Sequence, residues 1–463
     1  MIPKRLRPLL ERVAPLAARF NAAGRQLYLV GGVVRDAVVA GARSGGPAAG
    51  SSDVDLTTDA LPDEVEAILE GWADLVWRQG KQFGTIGSAK DGYRYEITTH
   101  RAEAYRSESR KPKVRYTDSV EVDLSRRDFT VNAMALRLPD VQLVDPFHGL
   151  DDLAHQRLRT PLAPEVSFED DPLRMLRAAR FIAGYSLTPD PGLTAAVARL
   201  RARLGIVSSE RVRDELDKLL VLPRPGPGLW FVIDTGLAEE FLPELPALAL
   251  EQDPVHRHKD VLAHTVAVVE RAPAERVVRV AALLHDVGKP KTRAVGPEGV
   301  SFHHHDVVGA RMARDRLRTL HYPAEVVEDV SRLVELHLRF HTYRMGWTDR
   351  AVRRYVRDAG PLLVQLNSLT RADCTTRNPA KARALSRRMD ELEQRIEELR
   401  AEEELDAIRP DLDGHEVMTH LGIGPGPVVG EALAYLLEAR LDEGPLGAEE
   451  AYRRLDAWWA DRR

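Results

Sequence analysis

The segment SSDVDLTTD carries two aspartates, Asp53 and Asp55, two residues apart in an apolar stretch. On a β-strand that spacing puts both carboxylates on one face. Two like charges held so close call for a cation. Nucleotidyl and phosphoryl transfer use Mg²⁺ on such carboxylates to neutralise a triphosphate and to activate an attacking hydroxyl. Upstream, LVGGVVRD places Gly31 and Gly32 at a strand-to-helix turn, where bare amides can approach phosphate oxygens, with Arg35 one turn into the following helix. Downstream, Glu96 in YRYEITTHR lies on a further strand candidate and is placed to supply a third carboxylate. Each feature has an ordinary alternative: an Asp-x-Asp turn, a glycine turn beside a surface arginine, an edge-strand glutamate facing water.

A second constellation comprises His264, the adjacent His285 and Asp286 in ALLHDVGKP, His305 in FHHHDVVGA, His337 in VELHLRF and Asp373 in TRADCTTRNP. Imidazoles and carboxylates drawn from several helices commonly hold one or two divalent metals that generate a hydroxide nucleophile. A lone helical histidine, by contrast, is usually packed or solvent-facing. The order and spacing over residues 255 to 375 resemble the HD metal-dependent phosphohydrolase domain. That resemblance implies His264, His285, Asp286 and Asp373 as the core ligand set, with His305 and His337 extending it towards a second metal, the ion being Mg, Mn, Ni or Co. Lys289 is placed to meet a phosphate, while His256, His258, His303, His304 and His341 are expected to be surface or secondary residues.

The elements that must position these groups follow from periodicity. Leu6, Leu9, Leu10, Val13, Leu16 and Phe20 have helical spacing and predict a first helix that stops at Gly24. Strands are expected at Gln26 to Val30, Val54 to Thr57, Ile86 to Ser88, Tyr93 to Thr98 and Val141 to Val144, and a helix near Val33. The Gly/Ala/Ser-rich run from Gly41 to Ser52 breaks all periodicity and is expected to be a linker loop. Arg101, Arg106, Arg110, Lys111, Lys113 and Arg115, with Tyr105 and Tyr116, form a positive stretch that fits either a mobile loop beside an RNA 3′ end or a solvated loop. From Asp170 onward the pattern is helical, and ALSRRMDELEQRIEELRAEEEL predicts a solvated or coiled-coil-like helix.

LVGGVVRD, DVDLTT, YEITTHR, RRDFTVNAMAL, DDPLRMLRAARF and ERVRDEL occur in the order and approximate spacing of the class II tRNA nucleotidyltransferases and bacterial poly(A) polymerases. The chain resembles that family, which implies an α+β protein with a polymerase-β-like head, an all-helical neck, an HD domain and a helical tail. The expected divisions are 1–155, 156–245, 246–380 and 381–463. By the resemblance Asp53 and Asp55 are the metal-binding catalytic pair, Glu96 joins them, and Gly31, Gly32 and Arg35 hold the triphosphate. Arg126, Arg127, Asp128 and Asn132 offer phosphate and ribose partners. In EDDPLRMLRAARF, Asp171 and Arg174 would pair with the edge of the incoming base, and Arg177 joins the nucleotide site; the alternative is helix capping with an intrahelical ion pair. The family has Glu where this chain has Asp170, so the shorter side chain leaves that position's role open. Glu210 and Arg211 would buttress the neck, and LGIGPGPVVG resembles the family's C-terminal body.

With 463 residues, several cores are expected. A formal net charge of −5 excludes a uniformly basic coat, so any RNA contact must be regional. The single cysteine, Cys374, excludes an intrachain disulfide and points to a reducing compartment, the cytoplasm. No apolar run approaches the ~20 residues that span a bilayer. The resemblance implies addition of CMP and AMP from CTP and ATP to the tRNA 3′ end with Mg²⁺. The open alternatives are a poly(A) polymerase, which shares every motif quoted, and an HD hydrolase whose head only binds nucleotide or RNA.

Overall fold

The amphipathic N-terminal run folds as the helix Arg7–Ala22 and buries Val13, Leu16, Ala17 and Phe20. Gly24, at φ +70°, then turns the chain into the first strand. In this computed structural model the described residues are 6–36, 53–106, 109–250, 260–296, 299–342, 347–375, 379–403, 405 and 408–462. The glycine-rich run, His256 and His258 therefore lie outside them. Two compact units divide the chain, Met1–Phe241 and Leu242–Arg463.

The first unit is built on a seven-stranded mixed sheet of order β3-β4-β5-β2-β1-β8-β9. Its strands are β1 (Leu27–Val30), β2 (Asp53–Thr58), β3 (Leu75–Trp77), β4 (Thr85–Lys90), β5 (Tyr93–Thr99), β8 (Ala135–Leu138) and β9 (Gln142–Val144). β2 and β5 run parallel, and the other pairs are antiparallel. Strand alternation separates two cores: Leu27 and Leu29 join Phe20, Leu56, Ile97 and Leu136, while Tyr28 and Val30 join Val120, Leu124, Ala133 and Ala135. β1 is thus buried on both faces, which suits its near-continuous apolar run.

The basic stretch expected as a loop is instead a hairpin, β6 (Arg101–Arg106) and β7 (Ser109–Tyr116), with Arg101 opposite Tyr116 and an irregularity between Ala104 and Arg106. A ladder needs only backbone pairing, which a reading of side-chain charge does not register. The side chains of 102–114 lie outside the described residues. Helices Pro164–Asp170, Leu173–Tyr185, Pro191–Leu200, Ser209–Leu220 and Gly226–Asp234 complete the unit. Pro172 directly precedes Leu173–Tyr185 as its cap rather than sitting within its first turn.

The second unit is mostly helical, from Val261–Arg271 to Ala448–Ala460. The charged helix Pro379–Glu402 is not solvated all round: Met389, Leu392, Ile396 and Leu399 are buried. Their spacing of three, four and three makes a coiled-coil-like seam. The helices Gly414–Leu421, Pro427–Glu443 and Ala448–Ala460 close over a separate core of Val417, Leu436 and Leu455. Among the described residues no helix is long and apolar enough to cross a membrane.

Phe20 is fully enclosed where the first helix meets the sheet. Phe20→Ala is expected to cost ~3–5 kcal/mol of unfolding free energy, read by chemical denaturation. A cost below ~1 kcal/mol would show that the helix does not carry the head's core.

Candidate active sites

In β2 burial alternates: Asp53 and Asp55 are exposed while Val54 and Leu56 are buried. The parallel register sets Glu96 of β5 directly opposite Asp55, and Glu96 is exposed on the same alternation. The three carboxylates therefore share one face at the centre of the sheet. Asp55 keeps open surface on this face but is hemmed in by neighbouring atoms, and this loss of water, followed by the charge of Glu96, raises its carboxyl above its ordinary range, with Asp53 adding to the effect and Arg127 opposing it. A cation would relieve this crowding, so the donor set fits Mg²⁺.

Gly31 stands beside the carboxylates at φ +76°. A Cβ there would lie 3.5 Å from both Asp55 Oδ2 and Arg127 Nη1, so the turn's bare backbone faces β2. Residues 32–36 are helical. Arg35 is buried; its Nη1 donates to Asn132 Oδ1 at 2.5 Å, its Nε donates to Asp36 at 2.8 Å, and its guanidinium covers the Tyr185 ring at 4.2 Å. Nη2 remains beside Gly32, 3.3 Å from where a Cβ would stand. Asn132 Nδ2 donates to Asp128 Oδ1 at 2.9 Å, and Asp128 Oδ2 accepts from Arg177 at 2.5 Å. Burial pushes against ionisation of Asp128, but Arg177, Asn132 and Arg174 hold its carboxyl below the usual range. Arg35, Asn132 and Asp128, all buried, and the partly exposed Arg177 thus form one chain of bonds from the glycine turn to the helix Leu173–Tyr185.

The base-reading candidates also have protein partners. Arg174 is buried; its Nη1 donates to Ser167 Oγ at 2.9 Å and its Nη2 to the Arg126 carbonyl. Asp171 Oδ1 accepts from the Leu173 amide at 3.2 Å, a cap, and Oδ2 from Arg211 at 3.2 Å. Asp171 therefore pairs with Arg211 across two helices and not with Arg174 within one. Asp170 ends the preceding helix, Pro164–Asp170. One residue escaped the sequence reading: Asp123, wholly buried on the helix Val120–Ser125, bonds to both Arg126 and Arg127. Its spacing of three and four before the arginine pair was the available signal.

In the second unit six predicted ligands converge. His264 Nε2 lies 2.9 Å from Asp373 Oδ1 and 3.2 Å from His285 Nε2. Asp286 Oδ2 is 3.3 Å from His285 Nε2, and its Oδ1 is 3.4 Å from His305 Nε2 and 4.0 Å from His337 Nε2. Two groups of three ligands, His264-His285-Asp286 and Asp286-His305-His337, share Asp286. The Nδ1 atoms face the Ala282, Phe302 and Val334 carbonyls at 2.6–2.8 Å for His285, His305 and His337, and Thr375 Oγ1 at 2.6 Å for His264. With a carbonyl accepting from Nδ1–H at His285, His305 and His337, the Nε2 of each is turned towards the carboxylates. The Nε2 atoms of His305 and His337 are buried and make no well-formed hydrogen bond, although Asp286 Oδ1 stands nearby. Burial lowers the His337 pKa to about 4, so its imidazole is neutral and ready to ligate at neutral pH. Orphaned buried nitrogens around a shared carboxylate fit a divalent ion. Gly288 is required by close packing, since a Cβ would meet the His305 carbonyl at 2.1 Å. Lys289 donates to Asp286 Oδ2 at 2.6 Å, and His341, unassigned from sequence, lies 3.8 Å from Asp373.

Comparison with known proteins agrees with this layout. Residues 27–159 match the Poly A polymerase head domain, 186–248 the probable RNA and SrmB-binding site of polymerase A, and 259–378 the HD domain. An A-adding tRNA nucleotidyltransferase of Deinococcus radiodurans is 38% identical over 356 residues, 74% of this chain and 80% of that protein. The chain belongs to the tRNA nucleotidyltransferase and poly(A) polymerase family. A CC-adding tRNA nucleotidyltransferase of Thermus thermophilus is 37% identical over 358 residues, covering 73% of this chain and 77% of the relative. In fold, the chain is similar to the Bacillus stearothermophilus CCA-adding enzyme in complex with CTP, at a TM-score of 0.68 and 24% identity over 98% of this chain and 99% of that one. The family's head, neck, HD and helical C-terminal architecture is the one expected from the motifs.

Two outcomes check the sites. Because the folded pKa of Asp55 lies above its unfolded value, ionisation costs the fold, fully above the folded pKa and not at all below the unfolded one. Asp55→Asn should raise the melting temperature of metal-free protein near neutral pH, and the gain should vanish as pH falls below the ordinary carboxylate range. An unchanged or lower melting temperature at neutral pH would contradict the crowding. Asp286→Ala should strip the dialysed protein of its divalent ion in elemental analysis, because both ligand groups use that residue.

Proposed function

We propose that the chain is a template-independent RNA nucleotidyltransferase that adds CMP and AMP, from CTP and ATP, to the 3′ end of tRNA. The observation that carries this is the set of Asp53, Asp55 and Glu96 on paired strands beside the Gly31 turn. Relatives over about three quarters of the chain that act on tRNA support the substrate class. Asp53, Asp55 and Glu96 would hold Mg²⁺, which supplies charge neutralisation of the triphosphate and acidification of the attacking 3′-hydroxyl. The Gly31 and Gly32 amides and the Nη2 of Arg35 receive phosphate oxygens, and Arg127 meets the charge that develops as pyrophosphate leaves. Asp171 and Arg174 read the base edge, which requires Arg174 to exchange its Ser167 partner for the nucleotide. The setting is the cytoplasm.

The histidine cluster carries a separate reaction. His264, His285, Asp286 and Asp373, extended by His305 and His337, would hold one or two ions among Mg²⁺, Mn²⁺, Ni²⁺ and Co²⁺, which supply a hydroxide for phosphoester hydrolysis. Lys289, already turned to the shared carboxylate, offers a cation to the phosphate. A second reading of the transferase is favoured by the nearly equal identity to an A-adding and to a CC-adding relative: the chain performs one part of the CCA sequence.

Crossed inactivation tests the assignment. Asp53→Ala should lower nucleotide addition by at least ~10³-fold with the fold intact, as removal of a preorganised electrostatic group does, and should spare hydrolysis of a 2′,3′-cyclic nucleotide. His285→Ala should do the reverse. Retained addition in folded Asp53→Ala protein would end the carboxylate assignment, and absence of hydrolysis from wild type across cyclic phosphates and phosphomonoesters would leave the cluster a structural clamp.

A further inference from the structure

Asp123 has no exposed surface, yet it carries a full charge. Burial works against that charge, but the guanidiniums of Arg126 and Arg127 hold its carboxyl below the ordinary range. Taking a carboxylate wholly out of water is costly, and an apolar side chain of similar volume often serves stability as well. What distinguishes this carboxylate is what it joins. Its Oδ1 accepts from Arg126 Nε at 2.9 Å and Nη2 at 2.8 Å, and from the Arg101 amide at 3.4 Å. Its Oδ2 accepts from Arg127 Nη2 at 3.4 Å and lies 3.4 Å from Thr57 Oγ1, whose single proton is also directed to the Thr98 carbonyl at 2.9 Å.

Each partner leads to a different part of the site. Thr57 lies on β2, two residues beyond Asp55. Arg127 turns its other terminal nitrogen, Nη1, to the space over Gly31, where a Cβ would be 3.5 Å away and equally close to Asp55. Arg126 offers its carbonyl to Arg174 Nη2. One buried carboxylate thus ties together the metal strand, the cation over the glycine turn and the main chain that orients the base reader. An Arg on its long, flexible side chain loses much rotamer entropy when it binds a phosphate, and a fixed charged partner removes that loss in advance.

We infer that Asp123 is a positioning residue for nucleotidyl transfer, holding Arg127 over the Gly31 turn for the nucleoside triphosphate and Arg126 in register with Arg174. It touches no reacting atom; it acts through the two arginines. The inference rests on the transferase reading above and deepens it, because it makes triphosphate affinity and base choice depend on the same buried group.

The test measures equilibrium binding of CTP and ATP to the full chain with Mg²⁺, alongside steady-state addition to a truncated tRNA transcript. Asp123→Asn keeps the acceptor oxygen and removes the charge. It should raise Kd and KM for both nucleotides about tenfold or more, the scale of a lost charge-assisted contact, and lower kcat by less. In an Arg127→Ala background the same substitution should change KM little, since its effect passes through that arginine. Unchanged affinity, or an equal rise with and without Arg127, would overturn the inference. Melting curves report folding, and Thr57→Val keeps every charge while removing one donor to the carboxylate. It should raise KM less than Asp123→Asn does, because Thr57 Oγ1 also donates to the Thr98 carbonyl, and a rise as large as that of Asp123→Asn would count against a role carried by the charge. Wild type that binds both nucleotides yet adds neither would defeat the transferase reading, with Asp123 still judged by binding.

Discussion

Repulsion among Asp53, Asp55 and Glu96 is the constraint around which the first unit is organised. The parallel pairing of β2 with β5 forces Asp55 and Glu96 side by side, a placement that costs the metal-free fold and that a divalent cation reverses. Stability for it comes from elsewhere in the sheet, where β1 is buried on both faces and the first helix covers the core. The glycine turn stands beside that face, and the charge of Arg127 over it opposes the carboxylates.

Ion pairs and hydrogen bonds join β2 and the helical turn after Gly31 to the helices that follow. Arg35, Asn132, Asp128 and Arg177 form one chain of bonds, and Thr57, Asp123, Arg126 and Arg174 form another. Such networks are costly when broken on one side only. They leave few independent ways for the segment carrying Asp171 and Arg174 to shift, which suits the base-reading role proposed for it. The histidine cluster uses the opposite strategy. Backbone carbonyls fix three imidazoles, while the charge is concentrated on Asp286 and Asp373, whose carboxyls are held well below the ordinary range against the pull of burial.

Much of this was legible in the residues. The strand expected at Val54 to Thr57 is Asp53–Thr58, and the alternation that places both aspartates on one face is a local property. The helices bearing the histidines were equally local. What could not be read were pairings across long separations. Arg211 lies 40 residues from Asp171 and Thr57 lies 66 from Asp123, and no periodicity links them. Asp123 was therefore not singled out from the sequence. The β6–β7 hairpin was missed for a related reason, since its charges spoke for a loop while its backbone pairs along eight residues of one strand.

The most direct measurement is single-nucleotide incorporation on tRNA transcripts ending before CCA, after the first two cytidines, or complete, with CTP and ATP supplied one at a time. The expected result is CMP on the shortest transcript, AMP on the one ending in CC, and none on the complete tRNA; a chain performing one part of the sequence would show only the corresponding step. Open-ended ATP tailing of unrelated RNA, or no incorporation on any transcript by folded protein with Mg²⁺, would contradict it.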